Sequence, residues 1–544
     1  MLAVGKRSFN MKTLTKKSVV CALCAIVSLY AKSEPKQTMG YGSGDNLEQA
    51  IAAAKVDAVL NAGGRTTVAS EAKKDQLLKD EGTSQNDACL ISYEVTEKGE
   101  SFDGTYVRIK AKVSKDEDYI LKDGKTDVRG EGTAENDRDA VAMAMCNAVL
   151  ESGSRISAVV KYENEQLVAD DAKVEARGAI VSCSIENPGE KKSKVVCRIY
   201  PDADSLTGLL PIKVSGVGTG RNVVVAEAAA RREMVLGWGS EFFVHSTYKD
   251  GAQKSFSAER KCDAYISAEM SQDSEGLENG RVRMDGTKFQ STSELELSEQ
   301  KSADGIGCGV DVVDAHKAAL CDAFINLGSH VMINVDYGKG RKEGECAIYR
   351  SSYNYFGESS TAPKSVGGEY LMKTTIRAGG DLPEVDAGIA QTVETVGYGK
   401  GKSKAVKDAK QRAVDMVFGS PVKVSVTERD GTVADIVYSA THSEKGYVAE
   451  YEILSEDKCA ESTIVKIKAV VKNHDGDSTG WGWITVTIVI LVMCVVFMGV
   501  KEKMGVAMLT IIWILTAIGL FATGHWAVGI AAIVIGLGAA NADK

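Results

Sequence analysis

Hydrophobic and polar residues alternate along this chain at two periods. Ala88–Thr96 and Tyr106–Val113 set Val, Ile and Tyr at near-alternate positions, the pattern of a half-buried strand, and Val422–Thr427, Tyr447–Leu454 and Ile464–Val471 repeat it further on. Between such stretches lie segments with alanine at every fourth position, which lines one face of a helix with small side chains. A glycine-spaced tripeptide precedes each helical segment and a further glycine closes it. The pattern therefore predicts strand, helix, and then two or three strands joined by hairpins.

This combination returns five times, starting at Gly40, Gly130, Gly216, Gly305 and Gly397, with a period of 86 to 92 residues. Most of the chain is then an array of one small module. In the first four copies the second glycine (Gly42, Gly132, Gly218, Gly307) and the closing one (Gly63, Gly153, Gly239, Gly328) keep identical offsets. The fifth departs: Gly397 and Gly399 lead to Ala405, Ala409, Ala413 and Gly419, with the first alanine two residues early, so its loop before the helix is shorter. Asn46, Asn136, Asn222 and Asp311 stand where a side-chain oxygen caps the free amides of a helix start. The closing glycine suits the left-handed residue that ends a helix.

The fold class expected is α+β: five tandem modules, each with one helix packed on a mostly antiparallel sheet. Their bounds fall at 34–124, 125–211, 212–300, 301–386 and 387–472, with a linker at 473–480. The ends add a membrane reading. Basic residues Lys6 to Lys17, an apolar stretch Val19–Ala31 and Ala31-Lys32-Ser33 read as a signal peptide over 1–33. Within 481–541, three uncharged apolar runs at about 483–500, 505–523 and 526–540 read as transmembrane helices. Exported modules, Lys501 and Lys503 inside, and Trp481, Trp483 and Trp526 at the outer interface give a multi-pass bacterial inner-membrane protein. Residues 34–480 then face the periplasm or the outside, and the C-terminus is cytoplasmic.

Charge changes the choice of partners. The chain carries -9 in all, and residues 34–480 carry -16 of it, offset by the basic ends. No cluster of Lys and Arg is present to neutralise phosphates, so nucleic acid is excluded as a partner. Nine of the twelve cysteines fall between the two membrane-type ends. Cys183 and Cys197 flank the turn at Asn187–Lys191 symmetrically, as a hairpin disulfide or as two small packing residues. Cys146 and Cys321 share one helix offset and read as packing residues.

Cofactor and metal sites are not indicated. In a dinucleotide fingerprint the third glycine follows the second by three residues, whereas Gly44, Gly220, Gly309 and Gly401 follow by two; the glycines read as structural. The histidines are scattered, and neither Gly-x-Ser-x-Gly nor His-Glu-x-x-His occurs.

The glycine-x-glycine strand end, the alanine-striped helix and the hairpins after it resemble the module of bacterial small outer-membrane lipoproteins and of the amino terminus of flagellar assembly protein T. That resemblance implies envelope structure and assembly rather than catalysis, and supplies no catalytic residue. The function expected is a non-catalytic, membrane-anchored envelope protein whose modules contact an envelope protein or a cell-wall component. Two alternatives are an exported hydrolase with a site between modules, for which carboxylates such as Glu71 and Asp75 are loose candidates, and a homo-oligomer assembled through the membrane helices.

Overall fold

The strand order is set by one element, the third strand of each of the first four modules, which is long enough to serve two sheets. The computed structural model describes residues 34–473 apart from 64, 74–75, 102–103, 121–123, 164–165, 187–190, 250–251, 272–279, 292–299, 340, 383–389 and 444. It leaves the side chains of 65–82, 101, 118, 162–163 and 166–170 undescribed. Module 1 comprises β1 Lys36–Gly44, α1 Leu47–Asn61, β2 Arg65–Lys73, β3 Gln76–Ser101 and β4 Gly104–Ser114. Module 2 comprises β5 Lys125–Thr133, α2 Asp137–Ser152, β6 Ser154–Glu163, β7 Gln166–Ile185 and β8 Lys192–Tyr200. Module 3 comprises β9 Ile212–Thr219, α3 Val223–Leu236, β10 Ser240–Lys249, β11 Ala252–Met270 and β12 Arg281–Phe289. Module 4 comprises β13 Lys301–Gly309, α4 Val312–Leu327, β14 Ser329–Gly338, β15 Arg341–Ser360, β16 Lys364–Val366 and β17 Glu369–Ala378. Module 5 comprises β18 Ala390–Gly399, α5 Lys402–Phe418, β19 Ser420–Arg429, β20 Thr432–Ala440, β21 Gly446–Cys459 and β22 Ser462–Asn473.

In module 1 the first half of β3 pairs with β2, the second half pairs with β4, and β4 pairs with β1. The opposite side of β3 pairs with β6 of module 2 from Glu81 to Leu90. The same arrangement recurs at β7–β10, β11–β14 and β15–β19. A continuous antiparallel run therefore crosses all modules in the order β2, β3, β6, β7, β10, β11, β14, β15, β19, β20. Shorter sheets branch from it, and together they make one sheet of 19 strands, beside a three-stranded sheet β18-β22-β21.

Two expectations are corrected here. The modules are not α+β units with a sheet each, because every long third strand carries the ladder into the next module; the described chain is mostly antiparallel sheet. Among the described residues, no helix is long and apolar enough to cross a membrane. The five α-helices among the described residues have 14 to 17 residues, short of the ~20 that a spanning helix needs, and each lies on a sheet. The signal peptide at 1–33, the linker at 473–480 beyond Asn473 and the three runs within 481–541 lie outside the described residues. A multi-pass inner-membrane protein with a periplasmic region is accordingly withdrawn, and with it the signal-peptide and envelope placement.

The glycine and alanine pattern has a direct packing cause. A Cβ added to Gly42 would fall on Ala50 O and Ala54 N, one on Gly132 on Ala140 O and Ala144 N, and one on Gly218 on Ala226 O and Ala230 N. Gly307 meets Ala315 O and Ala319 N in the same way, and Gly40, Gly130, Gly216, Gly305 and Gly397 meet the next part of their helices. Gly399 lies against Ala405 N and Lys404. Each helix backbone rests on the first strand of its module, a spacing that glycine below permits, with alanine above at most contacts and Met234 above Gly216. Asn46, Asn136, Asn222 and Asp311 each accept a hydrogen bond from the backbone N–H three residues on, at Gln49, Asp139, Val225 and Asp314. Gly401 replaces the polar cap in module 5, whose helix starts two residues earlier relative to its glycines.

The closing glycines differ from expectation. Gly153 has φ 143 and ψ 141, Gly328 φ 171 and ψ 135, and Gly419 φ 70 and ψ 154, so none has the ψ near 45° of a left-handed helix cap. The next strand begins at the following residue, Ser154, Ser329 or Ser420, which requires an extended ψ. Gly63 (φ 136) and Gly239 (φ 71) likewise immediately precede the second strand's start region.

One body comprises the chain up to Pro383 with Thr392–Ser443 and Glu450–Ala469. A second comprises Glu384–Gln391, Glu444–Ala449 and the chain from Val470, of which only 390–391, 445–449 and 470–473 are described.

Candidate functional site

Charged side chains are gathered where modules 3, 4 and 5 meet. Arg231, on α3, is 2 % exposed, and its Nη2 donates to Glu227 Oε1 at 3.0 Å and to Asp322 Oδ1 of α4 at 2.6 Å. Its Nε donates to Asn326 Oδ1 at 3.1 Å, and its guanidinium stands 5.7 Å from the centre of the Tyr349 ring. Asn326 Nδ2 donates to Glu227 Oε1, to Asp304 O and, at 3.3 Å, to Asp322 Oδ2. Burial, and then the adjacent Asp322, push the Glu227 carboxyl up to about 8. One cation facing a buried and a half-buried carboxylate is balanced when Glu227 keeps its proton. Next to it, Arg232 pairs with Glu345 of β15 at 2.6 Å and with Glu428 of β19, tying module 3 to modules 4 and 5.

A second group surrounds Glu358 at the end of β15. His316 Nε2 of α4 lies 2.5 Å from Glu358 Oε1, Arg412 Nη1 of α5 donates to the same oxygen, and Tyr355 Oη donates to Glu358 Oε2 at 3.0 Å. Burial alone would raise this carboxyl, but Arg412 and His316 outweigh it and hold it near 2. The His316 ring stacks on Tyr398 with centroids 4.1 Å apart.

Beside this group α5 opens on a cleft of about 510 Å³ that also reaches Tyr438 and His442. His442 Nδ1 lies 2.9 Å from the buried Asp415 Oδ2, so a carboxylate orients an imidazole that is itself half exposed. Catalysis at that pair needs an activated nucleophile beside it. The cleft hydroxyls belong to Tyr355 and Tyr438, and burial pushes both upward. Among the described residues no three His, Cys, Asp or Glu side chains converge as a metal site.

The third feature is a groove of about 540 Å³ on the face of the long sheet. One row of opposed residues runs across it: Tyr265, His330, Arg350, Ser425 and Val437, from β11, β14, β15, β19 and β20. The Tyr265 and His330 rings stack at 4.7 Å, and His330 Nε2 lies 2.6 Å from Asp263 Oδ1. Arg350 and, two pairs along on the same face, Lys423 bring two exposed cations to the same groove.

The residues singled out from sequence lie away from these features. Cys183 stands directly opposite Cys197 on β7 and β8, with Cα atoms 4.2 Å apart and the sulfur atoms bonded. Cys146 and Cys321 are buried in their helices, and burial pushes both thiols up to about 12. Asp75 and the Glu71 side chain lie outside the described residues. Sequence reasoning missed Arg231, Arg232, Glu358 and Arg412; the one local signal was Glu227 and Arg231 at i and i+4 on a helix that also carries Ala226 and Ala230. No family model, curated protein or solved structure matches this chain.

Proposed function

We propose that the chain is a non-catalytic interaction protein, in which the modules act as one continuous surface for another macromolecule. The observation that supports this reading is the row from Tyr265 to Val437: residues of three modules, held in fixed register, line one groove with aromatic rings, hydroxyls and two exposed cations. Stacking on the rings, with Arg350 and Lys423 meeting negative charge, suits an elongated ligand bearing carboxylates. The buried charges pair with one another across the modules, which suits a frame that holds the surface rigid.

Panels of acidic and neutral oligosaccharides and peptides provide the test. Binding of acidic members without turnover is expected, weakened about tenfold, or ~1.4 kcal/mol, when Arg350 and Lys423 are both changed to Ala. A second reading, an enzyme, is favoured by Asp415 and His442 in the cleft. Product release that vanishes in His442→Ala would replace the binding reading with that one.

A further inference from the structure

All five hairpins of second and third strands carry a bulge at the same place, after Glu71, Lys161, Thr247, Asp336 and Thr427. Across each hairpin these residues face Lys79, Ala169, Ser255, Gly344 and Asp435. The junctions between modules follow one rule from there. Four residues beyond the hairpin partner, the third strand receives the pre-bulge residue of the next module: Thr83 faces Lys161, Lys173 faces Thr247, Glu259 faces Asp336, and Ile348 faces Thr427. Four junctions therefore share one register without a slip.

The array ends at β20 on one side and at β2 on the other. Among the described strands, β20 pairs with β19 alone and β2 with β3 alone. Thr441 N–H donates to Pro421 O across from β19, so the alternation of a strand turns the N–H groups of Tyr438 and Ala440 to the open side. From Ile436 to Ala440 this edge has no Lys and no Pro, and Val433 and Val437 are exposed, so the usual guards against edge pairing are missing. Module 5 differs from the others at the same spot. In modules 1 to 4 the third strand runs unbroken for 19 to 26 residues, whereas here it is divided into β20 and β21. The division follows Ala440, within the stretch that in the other modules lies against a neighbour's second strand.

We propose that a second copy of this chain continues the sheet, its β2 adding antiparallel to β20 in the register of the internal junctions. Ser439 then faces Glu71 of the second copy, and Val437 faces Lys73. The contact is head to tail, so copies build a ring where the rotation closes and a filament where it does not. It rests on register and edge chemistry, independent of what the groove binds.

The outward N–H groups of Tyr438 and Ala440 place Ser439 and Glu71 in a close, non-hydrogen-bonded pair, the geometry a disulfide needs. Full-length Ser439→Cys and Glu71→Cys variants, mixed and mildly oxidised, should give a covalent dimer that neither gives alone, and the double variant a ladder of multimers. Sedimentation of the unmodified chain should show mass rising with concentration. Ala440→Pro, which removes an outward N–H and leaves the bonds to β19, should reduce both to monomer with an unchanged circular dichroism spectrum. A monomer at every concentration with no dimer in the mixture would overturn the proposal, as would a double variant that bridges only within one chain.

Discussion

The junction of modules 1 and 2 and the junctions among modules 3, 4 and 5 use one strand register and opposite chemistry. At the first, Lys55 and Tyr93 meet Glu151 at 2.8 and 2.7 Å, and Arg155 pairs with Asp87 and Glu117 near the surface. Beneath lies an apolar cluster in which Ala54, Val59 and Ile109 of module 1 pack with Ile156 and Ala158 of module 2. At the later junctions the charges go inside, with Arg231 and Glu227 both 2 % exposed. Exposed pairs add little, and buried ones are costly to break although their net worth can be small. Backbone pairing therefore sets how modules join, and side-chain chemistry sets how much a single substitution costs at each joint.

The contrast is tested most strongly by Arg231→Ala, which leaves Glu227 and Asp322 without their cation. It should lower unfolding free energy in denaturant titration by ~3–5 kcal/mol. A cost under ~1 kcal/mol there would remove the distinction between the joints. Gly218→Ala sets a Cβ onto the backbone of α3 and should cost ~1–3 kcal/mol, with an equal cost for Gly132→Ala, since this contact is common to both regions.

Glu227 adds a pH signature to the buried joint. Its carboxyl lies at about 8 in place of 4.5, so the stability tied to its proton is complete below 4.5 and is lost as pH rises through about 8. Glu227→Gln should flatten that part of a stability–pH curve; an unchanged slope would assign it elsewhere. Lys55→Ala, at the partly exposed pair, should cost ~1 kcal/mol or less and lose even that in high salt.

What could be read from the residues was what local physics writes into them. Asn46, Asn136, Asn222 and Asp311 announce helix starts because a cap acts over three residues, and Gly42 with Ala54 announces a close contact because no other pair fits. The pairing between modules left no such mark. The first half of β3, Gln76–Asp87, is largely polar and lacks the alternation of a strand, although it holds β2 on one side and meets β6 on the other. Arg231 and Arg232 look like a solvated helix face, and only the distant Asp322, Glu345 and Glu428 reveal that they are inside. Cys183 and Cys197 could be matched by symmetry about a turn, whereas His316, Glu358 and Arg412 come from three separate elements and no spacing connects them.

A constant offset at every joint also bears on how such a chain can change in length. Excising or duplicating a whole number of modules leaves each remaining strand facing a partner of the same kind, with no side chain turned to the wrong face. The first two modules, joined by apolar contacts and peripheral ions, are the natural place for such an event. Modules 3 to 5 would have to be copied or lost as a block, because cutting between them strands a charge.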